Sequence, residues 1–338
     1  GSELVTNGDF SAAGSNLVTN PNFTDTGSEL ITNGDFAVSG TLTSTSWSLG
    51  WRAGDNGLSI SDGALNLVND GSGFVGRAYA TNGVDSYNGV IEVGKSYSLT
   101  YEVTENIDAA TLYYYAGSFV SIAKDVNVHT VEFTATTDFF LLRNGSSNTT
   151  IKIDNVSVKE LGEDWTAYTS GTSTVEYNSS GANLLIDSGA NGGSNVGVYQ
   201  ENIFELGKSY KIVLSMKATA SFDAEVVESN LAATENVIGT VSLTTSFQDF
   251  TFYYVGTGTF DLFIHRLYNG GGASQTISIQ SVVVQELGQG WIDDGTPLKA
   301  ATFDANGLTI TTVNGTGNDN RVSQIDVAHD SKSYKVTY

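Results

Sequence analysis

Apolar and polar residues alternate along two stretches of this sequence that both begin with Lys-Ser-Tyr. Every second residue is apolar from Tyr97 to Val103 and again from Tyr210 to Met216. A period of two places these apolar side chains on one face of an extended strand, whereas a helix needs a period near 3.6. No stretch shows the helical period convincingly. The pattern therefore predicts half-buried antiparallel strands and an all-β fold.

The alternation slips by one residue in two apolar runs. The apolar positions of residues 151–158 change phase at residue 154, and those of residues 277–284 change phase at residue 280. One extra residue in a strand has this effect, because it turns every later side chain to the opposite face. We therefore predict β-bulges at Asp154-Asn155 and at Gln280-Ser281.

Both runs belong to a repeat with a period of 126 residues. The segment from Leu161 to Trp165 returns as the segment from Leu287 to Trp291. Lys-Ser-Tyr begins at residues 95, 208 and 332, which lie 44, 43 and 41 residues after Trp51, Trp165 and Trp291. Ten Asn-Gly dipeptides favour tight hairpin turns between the strands. We predict tandem β-sandwich modules at 28–160 (module 1) and 161–286 (module 2), and an incomplete module 3 at 287–338.

A shorter repeat opens the chain. Three seven-residue segments recur at intervals of 13 residues: Leu4–Phe10 (cassette 1), Leu17–Phe23 (cassette 2) and Leu30–Phe36 (cassette 3). Each cassette is long enough for one short strand and a turn, but too short to build a core alone. We assign residues 1–27 to a short-repeat segment, and we expect its cassettes to stack, to trimerise or to dock onto the first sandwich.

Charge and composition exclude several function classes. The chain has 37 acidic and 15 basic residues, for a formal net charge of -22. Such a charge repels phosphate backbones and anionic lipid surfaces, so we predict no nucleic-acid partner. No apolar run reaches the roughly 18 residues that a membrane span needs, so we predict no membrane insertion. The absence of cysteine excludes disulfides and thiolate chemistry.

Motifs that suggest catalysis or nucleotide binding stand in the wrong context. Gly89–Ser96 fits the phosphate-loop pattern, but apolar residues fill its loop and a strand follows where a helix is required. The histidines occupy non-equivalent places in the repeat, and no zinc-binding spacing or nucleophile elbow occurs. A glycosidase pair among the many carboxylates stays open at this level. We predict that the chain is not an enzyme.

Four motifs together resemble carbohydrate-binding modules of the galactose-binding-like jelly-roll superfamily. They are the Leu-Ile-Thr-Asn-Gly-Asp-Phe opening at Leu30, the Gly-Ala-Leu-Asn-Leu run at Gly63, the Gly-Lys-Ser-Tyr strand at Gly94 and the Ile-Asp-Asn-Val-Ser-Val close at Ile153. The junction from Val158 to Trp165 looks like tandem arrays in tail and fibre proteins of marine bacteriophages. The resemblance implies tandem jelly-roll sandwiches over residues 28–338.

The resemblance also implies a setting. It implies a virion structural or attachment protein, either a tail fibre or a surface decoration, with homotrimeric assembly and other virion proteins as partners. Cell-surface glycans are the expected ligands, and the virion surface or extracellular space is the expected location. The alternative is a secreted bacterial polysaccharide-binding protein, or the accessory binding region of a larger glycan-active enzyme. A spacer that binds nothing is a third interpretation.

Aromatic residues are the candidate ligand contacts, because sugar-binding modules stack rings on pyranose faces beside polar groups. The candidates are Trp47, Tyr79, Tyr113 and Tyr115 in module 1, and Tyr199, Tyr253, Arg266 and Tyr268 in module 2. The tryptophans that recur in all three copies favour the core instead. Arg143 and Arg266 precede Asn-Gly turns at equivalent places, where they either hold a ligand or pair with a buried carboxylate.

A structural calcium ion is the one cofactor that the resemblance implies. Its ligands would come from Asn33 and Asp35 of the opening turn and from Asp154 at the predicted bulge. Calcium prefers six to eight oxygen ligands, including carboxylates. Module 2 has Gln280 in place of Asp154 and no Asn-Gly-Asp-Phe opening of its own. We therefore expect calcium, if bound, in module 1 only.

Overall fold

A computed structural model of the chain describes residues 4–10, 12–54, 57–72, 76–187, 196–230, 235–266, 274–293, 301–310 and 322–324. Within these residues, strands and one short 3-10 helix are the regular elements, as the period-two alternation predicts. No helix there is long and apolar enough to cross a membrane. The all-β prediction is therefore confirmed.

The strands are numbered in chain order. The cassettes and module 1 contain β1 (Ala13–Asn16), β2 (Thr26–Glu29), β3 (Gly40–Thr41), the 3-10 helix (Trp47–Leu49), β4 (Trp51–Ala53), β5 (Ser59–Ser61), β6 (Ala64–Asn69), β7 (Gly76–Ala80), β8 (Ser96–Ile107), β9 (Leu112–Tyr115), β10 (Phe119–Ile122), β11 (Val128–Thr134), β12 (Leu141–Asn144) and β13 (Thr149–Leu161). Module 2 contains β14 (Thr166–Thr169), β15 (Thr174–Asn178), β16 (Gly181–Ile186), β17 (Val196–Phe204), β18 (Ser209–Ala218), β19 (Phe222–Ser229), β20 (Glu235–Leu243), β21 (Gln248–Val255), β22 (Phe260–Arg266) and β23 (Gln275–Leu287). The described part of module 3 contains β24 (Ile292–Asp293), β25 (Ala301–Asp304), β26 (Gly307–Ile310) and β27 (Val322–Ser323).

Module 1 is a sandwich of two antiparallel sheets. One sheet has the order β11-β8-β13-β6-β5-β3, with β2 paired to β13, and the other has the order β10-β9-β12-β7-β4. Apolar side chains from both sheets form one core, with Trp51, Tyr97 and Tyr101 among its largest fully buried members. Burial of each such side chain contributes about 1.5–3 kcal/mol.

Module 2 repeats the two-sheet arrangement. Its sheets have the orders β15-β16-β23-β18-β21, with β1 paired to β23, and β14-β17-β22-β19-β20. The Lys-Ser-Tyr strands β8 and β18 are central in both modules, and the apolar residues predicted for their inner faces are all buried. The third Lys-Ser-Tyr strand lies outside the described residues.

Both predicted bulges are present. The pairing of β13 with β8 shifts between Asp154 and Ser157, where Asn155 takes a positive φ of 50°. The pairing of β18 with β23 shifts between Ser215, opposite Ser281, and the next residue. On either side of each bulge the apolar residues remain buried. The extra residue thus lets a phase slip in the sequence keep the same face towards the core.

The chain forms two compact units whose boundaries differ from the module boundaries predicted from the sequence. Unit 1 contains residues 1–22, 164–175 and 183–338, and unit 2 contains residues 23–163 and 176–182. Cassettes 1 and 2 therefore belong almost entirely to the unit of module 2, while cassette 3 belongs to the unit of module 1.

Each cassette adopts the same turn. The asparagine at its fourth position has a positive φ, which is 52° at Asn7, 45° at Asn20 and 54° at Asn33. In cassettes 1 and 3 the asparagine side chain closes the turn, because its Oδ1 accepts the backbone N–H five residues later. Asparagine tolerates this left-handed conformation better than most residues. The seven-residue repeat in the sequence is therefore a repeat of conformation.

Cassettes 2 and 3 dock on the closing strands of different modules through equivalent hydrogen bonds. In unit 2 the N–H of Leu30 donates to the carbonyl of Val158 at 3.0 Å. In unit 1 the N–H of Leu17 donates to the carbonyl of Val284 at 2.8 Å. These bonds are related by 13 residues in the cassettes and by 126 residues in the modules. The cassettes thus serve as opening strands, and cassette 2 supplies the opening that module 2 lacks in its own sequence.

Cassette 1 docks on the start of module 3 in the same way. The indole Nε1 of Trp291 donates to the carbonyl of Asn7 at 3.0 Å, as the indole of Trp165 donates to the carbonyl of Asn20 at 2.9 Å. The ring of Phe10 lies 5.0 Å from that of Trp291, and the ring of Phe36 lies 5.7 Å from that of Trp51. The expectation that the cassettes dock only on the first sandwich is therefore wrong.

A glycine after each closing strand accommodates a ring from the next repeat. A Cβ on Gly162 would lie 2.4 Å from the ring of Tyr177, and a Cβ on Gly288 would lie 2.4 Å from the ring of Phe303. Both glycines have a φ of 76°, which disfavours any other residue. The Leu-Gly junction recurs in the sequence because both the ring and the backbone conformation require glycine.

Candidate functional site

One face of the β10-β9-β12-β7-β4 sheet of module 1 points away from the core. Direct pairing across the five strands places one row of side chains on this outer face: Arg52, Tyr79, Leu141, Tyr115 and Phe119. Leu141 is only 2% exposed although it lies on the outer face. Neighbouring rings therefore cover the middle of the sheet, and the outer face is aromatic where a solvated sheet would be polar.

A second row lies beside the first on the same face. It contains Arg77, Arg143, Tyr113 and Ser121. Phe139 precedes β12 and adds a ring between the strands, with its centroid 5.9 Å from that of Tyr79 and 5.3 Å from that of Tyr115. The rings therefore form a continuous platform across the sheet.

At one end of the platform, three rings surround the guanidinium of Arg52. Its Cζ lies 4.0 Å from the ring centroid of Tyr87, 4.4 Å from that of Tyr79 and 5.5 Å from that of Trp47. The rings of Trp47 and Tyr87 are almost parallel, at 9°. The 3-10 helix holds Trp47 in place, because the hydroxyl of Thr81 donates to the Trp47 carbonyl at 3.0 Å.

Arg143 occupies the other end of the platform. Its Cζ lies 4.6 Å from the ring centroid of Phe119 and 5.7 Å from that of Tyr113. The neighbouring Asn144 is fully buried, and its side-chain amide donates to the carbonyls of Leu67 and Thr149 at 3.1 Å each. This bracket fixes the end of β12, so the position of Arg143 is set by the scaffold.

The structure brings together the four module 1 candidates of the sequence analysis, Trp47, Tyr79, Tyr113 and Tyr115, on this one face. Arg52, Tyr87, Phe119 and Phe139 complete the face and were not predicted. The period-two spacing of Arg77 with Tyr79 and of Tyr113 with Tyr115 was a usable signal for the shared face. No pattern of that kind points to Tyr87 or Phe139, which lie outside the strands.

Module 2 has a smaller aromatic cluster on its corresponding face. Tyr199 pairs with Phe263 across the strands, and the ring of His265 stacks on Phe263 with a centroid distance of 4.6 Å and an interplanar angle of 10°. His265 is 6% exposed, and its Nε2 lies 3.7 Å from a carboxylate oxygen of Glu225. Burial lowers the pKa of His265, and the carboxylates of Glu235 and Glu225 oppose that effect. This face therefore combines aromatic rings with negative charge.

The remaining module 2 candidates do not join that cluster. Tyr253 is 39% exposed but lies on β21, in the other sheet of the module. Arg266 pairs with Ala224 on the inner face of its sheet and is buried. Tyr268 lies outside the described residues. Arg143 and Arg266, equivalent in the sequence, therefore point to opposite sides of their sheets.

The residues predicted for calcium do not gather as a ligand set in the described structure. Asn33 uses its side chain to close the cassette turn, with its amide donating to the carbonyls of Leu49 and Val38. Asp154 accepts the N–H of Asn155 at 2.7 Å, and Asp35 accepts that of Ala37 at 3.3 Å. Among the described residues, no group of three or more acidic or histidine side chains is placed to hold a metal. The calcium ion stays a prediction that these contacts do not support.

The sequence matches no described protein family. It also matches no curated protein. Several solved structures of low similarity align with the chain. A structure described as "CBM4 structure and function" is 18% identical and covers 37% of this chain and 95% of its own, with a TM-score of 0.31. The tandem CBM22 domains of Xyn10C from Paenibacillus barcinonensis are 10% identical and cover 73% and 98%, with a TM-score of 0.26. A CBM29-2 variant complexed with mannohexaose is 17% identical and covers 37% and 83%, with a TM-score of 0.29. Similarities of this size assign no ligand to the chain.

Proposed function

We propose that this chain is a non-enzymatic glycan-binding protein and that the outer face of module 1 is its binding site. The observation that carries the proposal is the platform of rings across all five strands of one sheet, with an arginine at each end. Such a surface is expensive to leave in water, because exposed apolar area of this kind is uncommon on proteins without a binding partner.

The chemistry of the platform suits a sugar chain. Pyranose rings present C–H groups that pack on aromatic faces, while their hydroxyls need hydrogen-bond partners beside those faces. Tyrosine hydroxyls and arginine N–H groups on the same face supply such partners. The rings already pack against one another, so little side-chain entropy would be lost when a ligand binds.

We further propose that the chain acts without catalysis. Hydrolysis of a glycosidic bond requires two carboxyl groups facing each other across the ligand. The two rows of the module 1 face contain no acidic residue. Purified protein is therefore expected to release no reducing sugar from any polysaccharide that it binds.

For the biological setting we propose attachment at a virion surface, as the tail-fibre and decoration arrays that the sequence resembles imply. The alternative is a secreted bacterial polysaccharide-binding protein. Both settings use the same face and the same chemistry. Detection of the chain in purified virus particles supports the first, and its presence free in a bacterial culture supernatant supports the second.

The binding site can be tested with a glycan array and affinity electrophoresis of the full chain. Substitution Tyr115→Ala removes a ring from the middle of the platform and is expected to weaken glycan binding by about tenfold or more, as truncation of an aromatic anchor does. Tyr253→Ala is the matched control, because it removes an exposed tyrosine from a different sheet and should change nothing. Equal losses in both variants, or no binding to any glycan, would contradict the proposal.

A further inference from the structure

Two arginines of the module 1 face have no carboxylate partner. In the described part of the chain neither Arg52 nor Arg143 forms an ion pair, and the Nε atoms of both are buried without a hydrogen-bond partner. A buried polar atom without a partner costs about 1–3 kcal/mol. The chain has 37 acidic residues, so a shortage of carboxylates does not explain these unpaired arginines.

Aromatic rings hold the two guanidinium groups instead. A guanidinium packs its flat face on a ring, and its five N–H donors then point outward in its plane. In this arrangement the rings fix the position of each cation but satisfy none of its N–H donors. The groups that match this fork of donors best are carboxylate and sulfate, which accept two hydrogen bonds side by side.

We infer, building on the proposed glycan-binding function, that the ligand of this face is an anionic glycan whose carboxylate or sulfate groups bind Arg143 and Arg52. The two arginines stand two strands apart in the sheet, which is about 10 Å between their backbones. They therefore contact anionic groups on different sugar units of one chain. The rings between them pack on the sugar faces.

The net charge of the protein does not prevent this binding. The formal charge of -22 repels polyanions at long range. At physiological ionic strength, however, charges further away than about 8 Å are largely screened. The partly buried arginines act at contact distance, where screening is weak, and the two rows around them contain no carboxylate.

Module 2 offers a natural contrast. Its corresponding face places Glu225 beside His265, and its described aromatic cluster contains no arginine on the outer side. Negative charge on that face disfavours an anionic ligand. We therefore assign the anionic glycan to module 1 alone.

The test compares polygalacturonate with its fully methyl-esterified form, which has the same backbone without the charge. Carrageenan and agarose form a second pair that tests sulfate in the same way. The full chain should bind at least one acidic polymer about tenfold or more tightly than its neutral counterpart at physiological salt. Arg143→Gln should abolish that preference and leave binding to the neutral polymer unchanged. Lys124→Gln is the matched control, because it removes one positive charge from an exposed site away from the face and should retain the preference.

Three results would overturn the inference. Equal binding of the acidic and neutral polymers would refute it while leaving the proposed function intact. An Arg143→Gln protein with the wild-type melting temperature and an unchanged preference would also refute it. Tighter binding to a single-stranded oligonucleotide than to any glycan would replace the glycan by a nucleic acid. If no glycan of any kind binds, the proposed function itself fails.

Discussion

His265 shows how one residue type changes its role with its surroundings. It stacks on Phe263, is almost completely buried and lies close to the carboxylate of Glu225. Burial is the strongest influence on its pKa and lowers it, because the charged imidazolium loses its hydration. The nearby Glu225 and Glu235 reduce this shift without reversing it. The residue is therefore neutral in the folded protein at pH values where an unfolded histidine already carries charge.

This difference predicts a loss of stability in mild acid. The unfolded state takes up a proton as the pH falls below about 6.5, the ordinary histidine pKa, while folded His265 stays neutral until its lower pKa is reached. Unfolding therefore takes up a proton in that window, and the free energy of unfolding decreases as the pH falls. Melting temperatures measured from pH 7.5 to 5.5 should fall more steeply in the wild type than in His265→Phe. Parallel curves would show that His265 is not the titrating group.

The residues of the candidate site were only partly predictable. Tyr79, Tyr113 and Tyr115 could be predicted because period two places them on one face of local strands. Arg52 follows a core tryptophan and gains its role only when Tyr79 and Tyr87 surround it. Such clusters depend on the pairing of distant strands, which periodicity in one sequence does not reveal.

At the scale of elements, the strands and bulges were predictable, and the docking of the cassettes was not. Alternation and phase slips are local patterns, so β8, β18 and both bulges could be read from short windows. Cassette 2 pairs with a strand more than 260 residues later, as in the hydrogen bond from Val284 to Asn16, which spans 268 residues. The equal intervals of 13 and 126 residues were visible in the sequence, but the correspondence between the two repeats was not.

The docking of cassettes 2 and 3 can be tested with equivalent substitutions. Val18 and Ile31 occupy the same cassette position and are 4% and 5% exposed. Val18→Ser should destabilise the docked cassette by about 2–4 kcal/mol, through lost packing and a buried hydroxyl, and should speed amide hydrogen exchange in β23. Ile31→Ser should have the same effect on β13. Mass spectrometry of the exchanged peptides would separate the two effects, and faster exchange of β13 in both variants would contradict the assignment.

At the scale of the whole molecule, the docked cassettes change the argument for oligomerisation. One reason to expect a homotrimer was that cassettes too short for a core would need partners. Their apolar residues Val18, Ile31 and Phe36 are instead buried against the modules of the same chain. The trimer is therefore a prediction that rests on the resemblance to fibre proteins alone.

Light scattering of the intact chain tests that prediction directly. A homotrimer would give three times the chain mass of 35.7 kDa, and this mass should persist on dilution if the assembly is stable. The high negative charge favours dissociation at low salt, so the measurement belongs at physiological ionic strength. A monodisperse species with the mass of one chain would rule out the trimer.

The reversed order of the cassettes has a consequence for how the protein is made. Cassette 1 leaves the ribosome before every module, yet its partner Trp291 follows Asn7 by 284 residues. At about 5–20 residues per second, roughly 15 to 60 s of synthesis separate the two. During that interval module 1 can close with its adjacent cassette 3, whereas cassette 2 must wait for module 2 and cassette 1 for module 3. Translation therefore completes the modules from the innermost cassette outward, and the first strand to be synthesised is the last to find its place.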